Sequence, residues 1–134
     1  MEAATDILLL TILQIRPHRL PRHTSFISLA VVYHPLSSSI KDNNLLKDHL
    51  QSNTDLFLVD HPDALVIITG DFNPSSTKLN TNLISRCLFM SQIIKCNTRD
   101  TGILDLYFVN KPILFESPKQ LQKVGNSDHY AILV

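Results

Sequence analysis

Four short polar stretches in this chain carry side chains able to move protons or hold anions. Asp71 and Asn73 stand two apart in Gly70-Asp71-Phe72-Asn73. In an extended segment that spacing places both on one face. A carboxylate there accepts a proton, and an amide beside it donates to an anion. The plainer alternative is an Asp/Asn turn after a strand. Asp105 is the lone acid within the apolar run Ile103 to Val109. A carboxylate buried in such a run needs a partner. His129, in Ser127-Asp128-His129, is one candidate and Arg99 is another. Asp128 reads from its context as a loop cap, and His129 taken alone as a structural histidine. Tyr33, in Val31-Val32-Tyr33-His34-Pro35, places a phenol at a strand end or at the rim of a core.

These residues need elements to hold them. Ala64 to Ile68 is a short run of five apolar residues, three of them β-branched, bounded by Pro62 upstream and by Gly70 and Pro74 downstream. That predicts a strand covered on both faces, with Asp71 at its carboxyl end, where α/β folds collect ligands. Ile7 to Ile15 and Phe26 to Tyr33 also predict strands. Ser37 to Ser39 offer N-caps for a helix from Ile40 to about Val59. Leu45, Leu46 and Leu50 lie on one side of it, and Asn53-Thr54 is a candidate break. Ser75 to Asn82 predicts a loop, Leu83 to Met90 a short helix and Gln92 to Asn97 a strand. Ile103 to Val109 predicts a strong strand, and Ile113 to Phe115 a short one. Ser117 to Asn126 predicts a polar loop leading into a last strand from Tyr130. Strands alternating with a few helices predict an α/β layered sheet.

The order Gly-Asp-Phe-Asn, Leu-Asp-Leu, Ser-Asp-His resembles the endonuclease/exonuclease/phosphatase superfamily. The Val-Val-Tyr-His-Pro and Thr98-Arg99-Asp100-Thr101-Gly102-Ile103-Leu104-Asp105-Leu106 segments are most similar to the endonuclease domains of non-LTR, LINE-type retrotransposons. The resemblance runs from about Ile12 to Val134. It implies the C-terminal portion of a four-layer α/β sandwich: two packed sheets with helices outside. It also implies phosphodiester hydrolysis of DNA with Mg²⁺. Position by position, it assigns Asp71 to orient or deprotonate water and Asn73 to donate to phosphate or that water. It assigns His129 to stabilise a phosphate oxygen, Asp105 to orient His129, Tyr33 to bond the phosphate or aid the leaving group, and Asp128 to bind Mg²⁺. Spacing alone assigns none of these roles.

The family's N-terminal portion supplies an Asn and the principal metal-binding Glu, upstream of the segment matching Ile12 to Pro17. Glu2 is the only glutamate there, in an unlike context, and Glu116 carries no such role. The expectation is therefore one N-terminally incomplete domain over 1–134, impaired as an enzyme and exposing an apolar sheet edge. A catalytically inactive remnant or binding module is an alternative reading. So is a phosphoesterase acting on a phosphoinositide or sphingolipid. A reverse transcriptase in the parent element and a nuclear, intracellular site of action also follow from the resemblance alone.

At 134 residues and 44% apolar, the chain can bury a core. Its net charge is zero, so no global field gathers nucleic acid. Arg16, Arg19 and Arg22 form the one basic cluster, read as a solvated loop or a phosphate contact. Cys87 and Cys96 fit no zinc or Cys-x-x-Cys pattern and are expected to be free thiols. Ile7 to Ile15 is too short to span a membrane and lacks the flanks of a signal peptide.

Overall fold

The computed structural model describes residues 9–134, with side chains from residue 12 onward. Expectations for Met1 to Leu8, Glu2 included, lie outside the described residues. The frame is a five-stranded mixed sheet built from β1 (Leu9–Ile15), β2 (Ile27–Tyr33), β3 (Leu65–Asp71), β4 (Ser91–Gln92) and β5 (Asp105–Val109). Their order across the sheet is β1-β2-β3-β5-β4. Only β2 and β3 run parallel. A parallel pair needs a crossover, and α1 (Ile40–Asp60) supplies it. The one-turn helix α2 (Pro74–Thr77) and α3 (Thr81–Leu88) follow β3. A separate two-stranded sheet joins β6 (Lys119–Lys123) to β7 (Tyr130–Leu133).

Helix α1 starts at a full capping box. The Asp42 amide donates to Ser39 Oγ at 3.3 Å, and the Ser39 amide donates to Asp42 Oδ2 at 2.7 Å. Such a cap is worth about 1 kcal/mol. The buried side is Asn43, Leu46, Leu50 and Thr54, a spacing of three and four. Leu45 lies off this stripe and is exposed. Asn53-Thr54 does not break the helix. Asn53 Nδ2 donates back to the His49 carbonyl, and Thr54 faces the core.

Alternate residues of the strands meet α1 and α3: Ala30 and Val32, Val66 and Ile68, Leu106 and Phe108. Phe72 and Phe108 are fully buried with ring centroids 5.5 Å apart, edge to face. Burying each contributes about 1.5–3 kcal/mol. The opposite face holds a smaller cluster of Leu65, Ile67 and Val109, with Ile27, Leu29, Ile93, Tyr107 and Phe115 around it. Toward β1 that face opens to solvent: Leu13, Ile15 and Val31 are all more than a third exposed. The apolar surface left uncovered thus spans this sheet face and the edge strand β1, where Ile12 on the other face is also exposed.

Four local expectations are corrected. Ser75 to Asn82 is no plain loop, because Pro74 starts a helical turn there with its fixed φ. Ile113 to Phe115 is no strand. Pro112 to Leu114 form a 3₁₀ turn instead. The polar stretch after Ser117 contains β6, every residue of which is exposed. Gln92 to Asn97 is strand only at its first residue, since β4 covers Ser91–Gln92. No helix among the described residues is long and apolar enough to cross a membrane.

Candidate active site

Strand register builds the site. Tyr33 pairs with Asp71 across β2 and β3, and Asp71 pairs with Asp105 across β3 and β5. Paired residues share a face, so the three side chains form one row. The row crosses the carboxyl ends of β2 and β3, on the face away from α1. Gly70 makes this row possible. It lies opposite Val32 at φ +144°, and a Cβ there would meet the Val32 carbonyl oxygen at 1.8 Å. Only glycine fits.

His129 arrives from the other sheet, one residue before β7. Its Nδ1 lies 2.7 Å from Asp105 Oδ2. A carboxylate only accepts, so Nδ1 carries the proton. Its Nε2 lies 3.9 Å from Asp71 Oδ2 and 3.7 Å from Asp128 Oδ1. Arg99 pairs with Asp128, Nη2 to Oδ2, at 2.6 Å. The expected alternative, Arg99 beside Asp105, is replaced by this pair.

The electrostatics follow from the packing. Burial, then the charge of Asp105, raises the pKa of Asp71, while His129 and Asn73 pull it down. Asp71 Oδ1 is buried with no hydrogen-bond partner. The hydrogen bond to Asp105 is the main cause that raises the pKa of His129. Burial opposes it, and the charges of Asp105, Asp71 and Asp128 add to it. Three carboxylates thus surround one imidazole.

Asn73 departs from expectation. Its φ of 45° and ψ of 50° are left-handed, not extended. The two-apart, one-face argument fails because the strand ends at Asp71. Asn73 is buried, and its Nδ2 donates to the His34 carbonyl at 2.9 Å. Its carbonyl accepts from Thr77 Oγ1. It clamps the turn after β3 to the turn after β2, beside Asp71 rather than in the row. His34 and Asn43 extend this clamp: His34 Nε2 meets Asn43 Oδ1 at 2.7 Å, and Asn43 Nδ2 donates to the Thr77 carbonyl.

Asp71, Asp105 and His129 each present a ligand atom within 4.8 Å of the others, a grouping able to hold a metal ion. Asp128, the expected metal ligand, stands at its exposed margin and is engaged by Arg99. Tyr33 sits at the far end of the row, 48% exposed. Arg16, Arg19 and Arg22 lie in the turn between β1 and β2, at the opposite end of the sheet from the row. Arg16 stacks over Phe26 at 5.4 Å. Arg99 is the cation paired at the margin of the site, and Lys123 lies 3.1 Å from Asp100. Cys87 and Cys96 are both free. The sequence gives no signal for Thr98, which the fold places beneath the Asp105–His129 pair. No protein-family model, curated protein or solved structure matches the chain.

Proposed function

We propose that this chain is a phosphodiesterase of the endonuclease/exonuclease/phosphatase type, similar to LINE-type endonuclease domains and acting on DNA. The observation that carries this is the row Tyr33–Asp71–Asp105, joined by His129 at 2.7 Å from Asp105. In this reading the open apolar sheet face is where the second sheet of a four-layer sandwich packs.

Asp71 holds the attacking water and takes its proton. A carboxylate pKa raised by burial makes it a better base near neutral pH. Asp105 fixes the tautomer and orientation of His129, as in a His–Asp pair. His129 Nε2 then faces the phosphate oxygens and offsets their developing charge. Tyr33, exposed at the end of the row, donates its hydroxyl to the phosphate or the leaving oxygen. Asn73 acts by holding the turn that sets Asp71.

The donor set fits a divalent cation. A phosphodiester approaching three carboxylates is repelled unless a cation intervenes, and Asp71 Oδ1 is an oxygen without a partner. Asp128 would hold Mg²⁺ directly or through water, beside the Asp71, Asp105 and His129 grouping; the ion takes few protein carboxylates and keeps several waters. When bound, the ion neutralises phosphate charge. One imidazole beside two carboxylates also admits Mn²⁺.

The test is nicking of supercoiled plasmid with Mg²⁺, Mn²⁺ or EDTA, beside Asp71→Ala and His129→Ala. Cation-dependent nicking lost in both variants is the expected result. A chain folded by circular dichroism that nicks nothing in either metal overturns the reading, in favour of an inactive remnant.

A further inference from the structure

Beneath the Asp105–His129 pair lies Thr98, fully buried and part of none of the chemistry above. Its hydroxyl oxygen accepts two backbone hydrogen bonds, from the Leu104 amide at 2.9 Å and the Asp105 amide at 3.0 Å. Its carbonyl accepts the Tyr130 amide at 2.7 Å. Its own amide donates to the Gly102 carbonyl at 2.9 Å. The backbone of Asp105 and that of the residue after His129 are therefore tied to one threonine. They come from two different sheets. Between Arg99 and His129 the chain adds an isolated β-bridge, next to the Thr98–Tyr130 bond.

We propose that Thr98 is a positioning residue whose hydroxyl sets the Asp105 backbone and whose carbonyl sets His129, so that the carboxylate–imidazole bond forms across the seam between the sheets. As a matter of catalysis this rests on the phosphodiesterase reading. As a matter of geometry it does not. Two part-buried amides donate to a single hydroxyl, and losing that acceptor costs both bonds. The cheapest relief is for the start of β5 to shift, which moves Asp105 away from the imidazole. Partners that orient a reacting group typically change activity by about 10- to 100-fold when removed. Valine fills the same volume and cannot accept. Serine accepts and lacks only the methyl.

The experiment compares wild type, Thr98→Val and Thr98→Ser. The first readout is the low-field NMR resonance of the proton shared by His129 Nδ1 and Asp105, recorded cold. The second is plasmid nicking, separated into kcat and KM. The expected result is a resonance present in wild type and T98S and lost in T98V. With it, kcat falls about 10- to 100-fold in T98V at unchanged KM, and T98S stays within about threefold of wild type. Retention of the resonance and kcat in a folded T98V overturns the proposal. If T98V does not fold, T98S decides: retained signal supports the role of the hydroxyl, and lost signal refutes it. A wild type with the resonance and no nicking in any divalent cation overturns the phosphodiesterase reading, and the resonance alone then judges Thr98.

Discussion

Replacing Asp71 with Asn should make the protein more stable and inactive together. The Asp71 and Asp105 ligand oxygens lie within 4.8 Å of each other. Two unit charges at that distance repel by about 1 kcal/mol under water-like screening and by about 3 kcal/mol at an effective dielectric of about 20. The Asp71 side chain is 26% exposed, so the repulsion lies between these limits and the water-like figure sets its minimum. The uncompensated repulsion is then at least about 1 kcal/mol. It is offset only while His129 is protonated. At the alkaline end, above the raised pKa of His129 where the imidazole is neutral, Asp71→Asn should exceed wild type by at least about 1 kcal/mol, or about 3–5 °C in Tm for a chain of this size. The sign reverses nothing on the acid side. The folded-state pKa of Asp71 is raised, so wild type gains stability as pH falls through it and its burial cost disappears. The advantage of Asp71→Asn should therefore narrow first through the His129 transition and then through that of Asp71. Thermal melts from pH 4 to pH 9 measure this, and nicking should fall by about 10²–10⁴ in parallel. A variant less stable than wild type near pH 9, or an advantage growing toward acid, refutes the reasoning.

Asp105→Asn tests the other side of the pair. His129 has a folded-state pKa raised above its ordinary 6.5, chiefly by Asp105. Its contribution is full below 6.5 and fades as pH rises through the folded value. Wild type should exceed Asp105→Asn by about 1 kcal/mol in mild acid, less toward pH 9, as followed by urea melts. Gly70→Ala meets the Val32 carbonyl oxygen at a φ most side chains avoid. It should cost about 3 kcal/mol or more, enough to lose the cooperative melt near room temperature. Ser39→Ala removes one half of the capping box and should cost about 1 kcal/mol in a denaturant titration, with nicking unchanged.

What could be read in advance was whatever carried an apolar pattern. β3, β5 and α1 announce themselves through runs or spacing, and Ser39 lies within the expected cap stretch. β6 gave no such signal, because Lys119 to Lys123 is exposed throughout and buries nothing. Pro112 looked like a breaker before a strand and instead opens a 3₁₀ turn. At the site, one side chain in an apolar run demanded a partner, which is why the approach of Asp105 and His129 was legible. Asn73 was misplaced because spacing arguments hold only while the strand continues. Its left-handed backbone depends on the His34 carbonyl, 39 positions earlier. Asp128 reads as a loop cap or a Mg²⁺ ligand, and nothing in the sequence points to its partner Arg99, 29 residues away. Thr98 shows its importance only through two amides that meet it in three dimensions.

The β6–β7 hairpin gives the site an on–off behaviour of its own. Asp71, Asp105 and Tyr33 belong to the five-stranded sheet, but His129 rides at the base of a two-stranded ribbon. That ribbon is exposed along β6 and is tied to the rest largely by polar bonds, among them Thr98 to Tyr130, Gln120 Nε2 to the Asn97 carbonyl and Lys123 to Asp100. Regions with little buried apolar surface open at free energies well below that of global unfolding. The ribbon should therefore peel away as a unit while the sheet stays folded, and its amides should exchange with solvent long before those of β3. Each such opening takes the imidazole from the site and leaves two carboxylates behind. The fraction of molecules competent at any instant is then governed by the local stability of the β6–β7 ribbon, not by that of the fold.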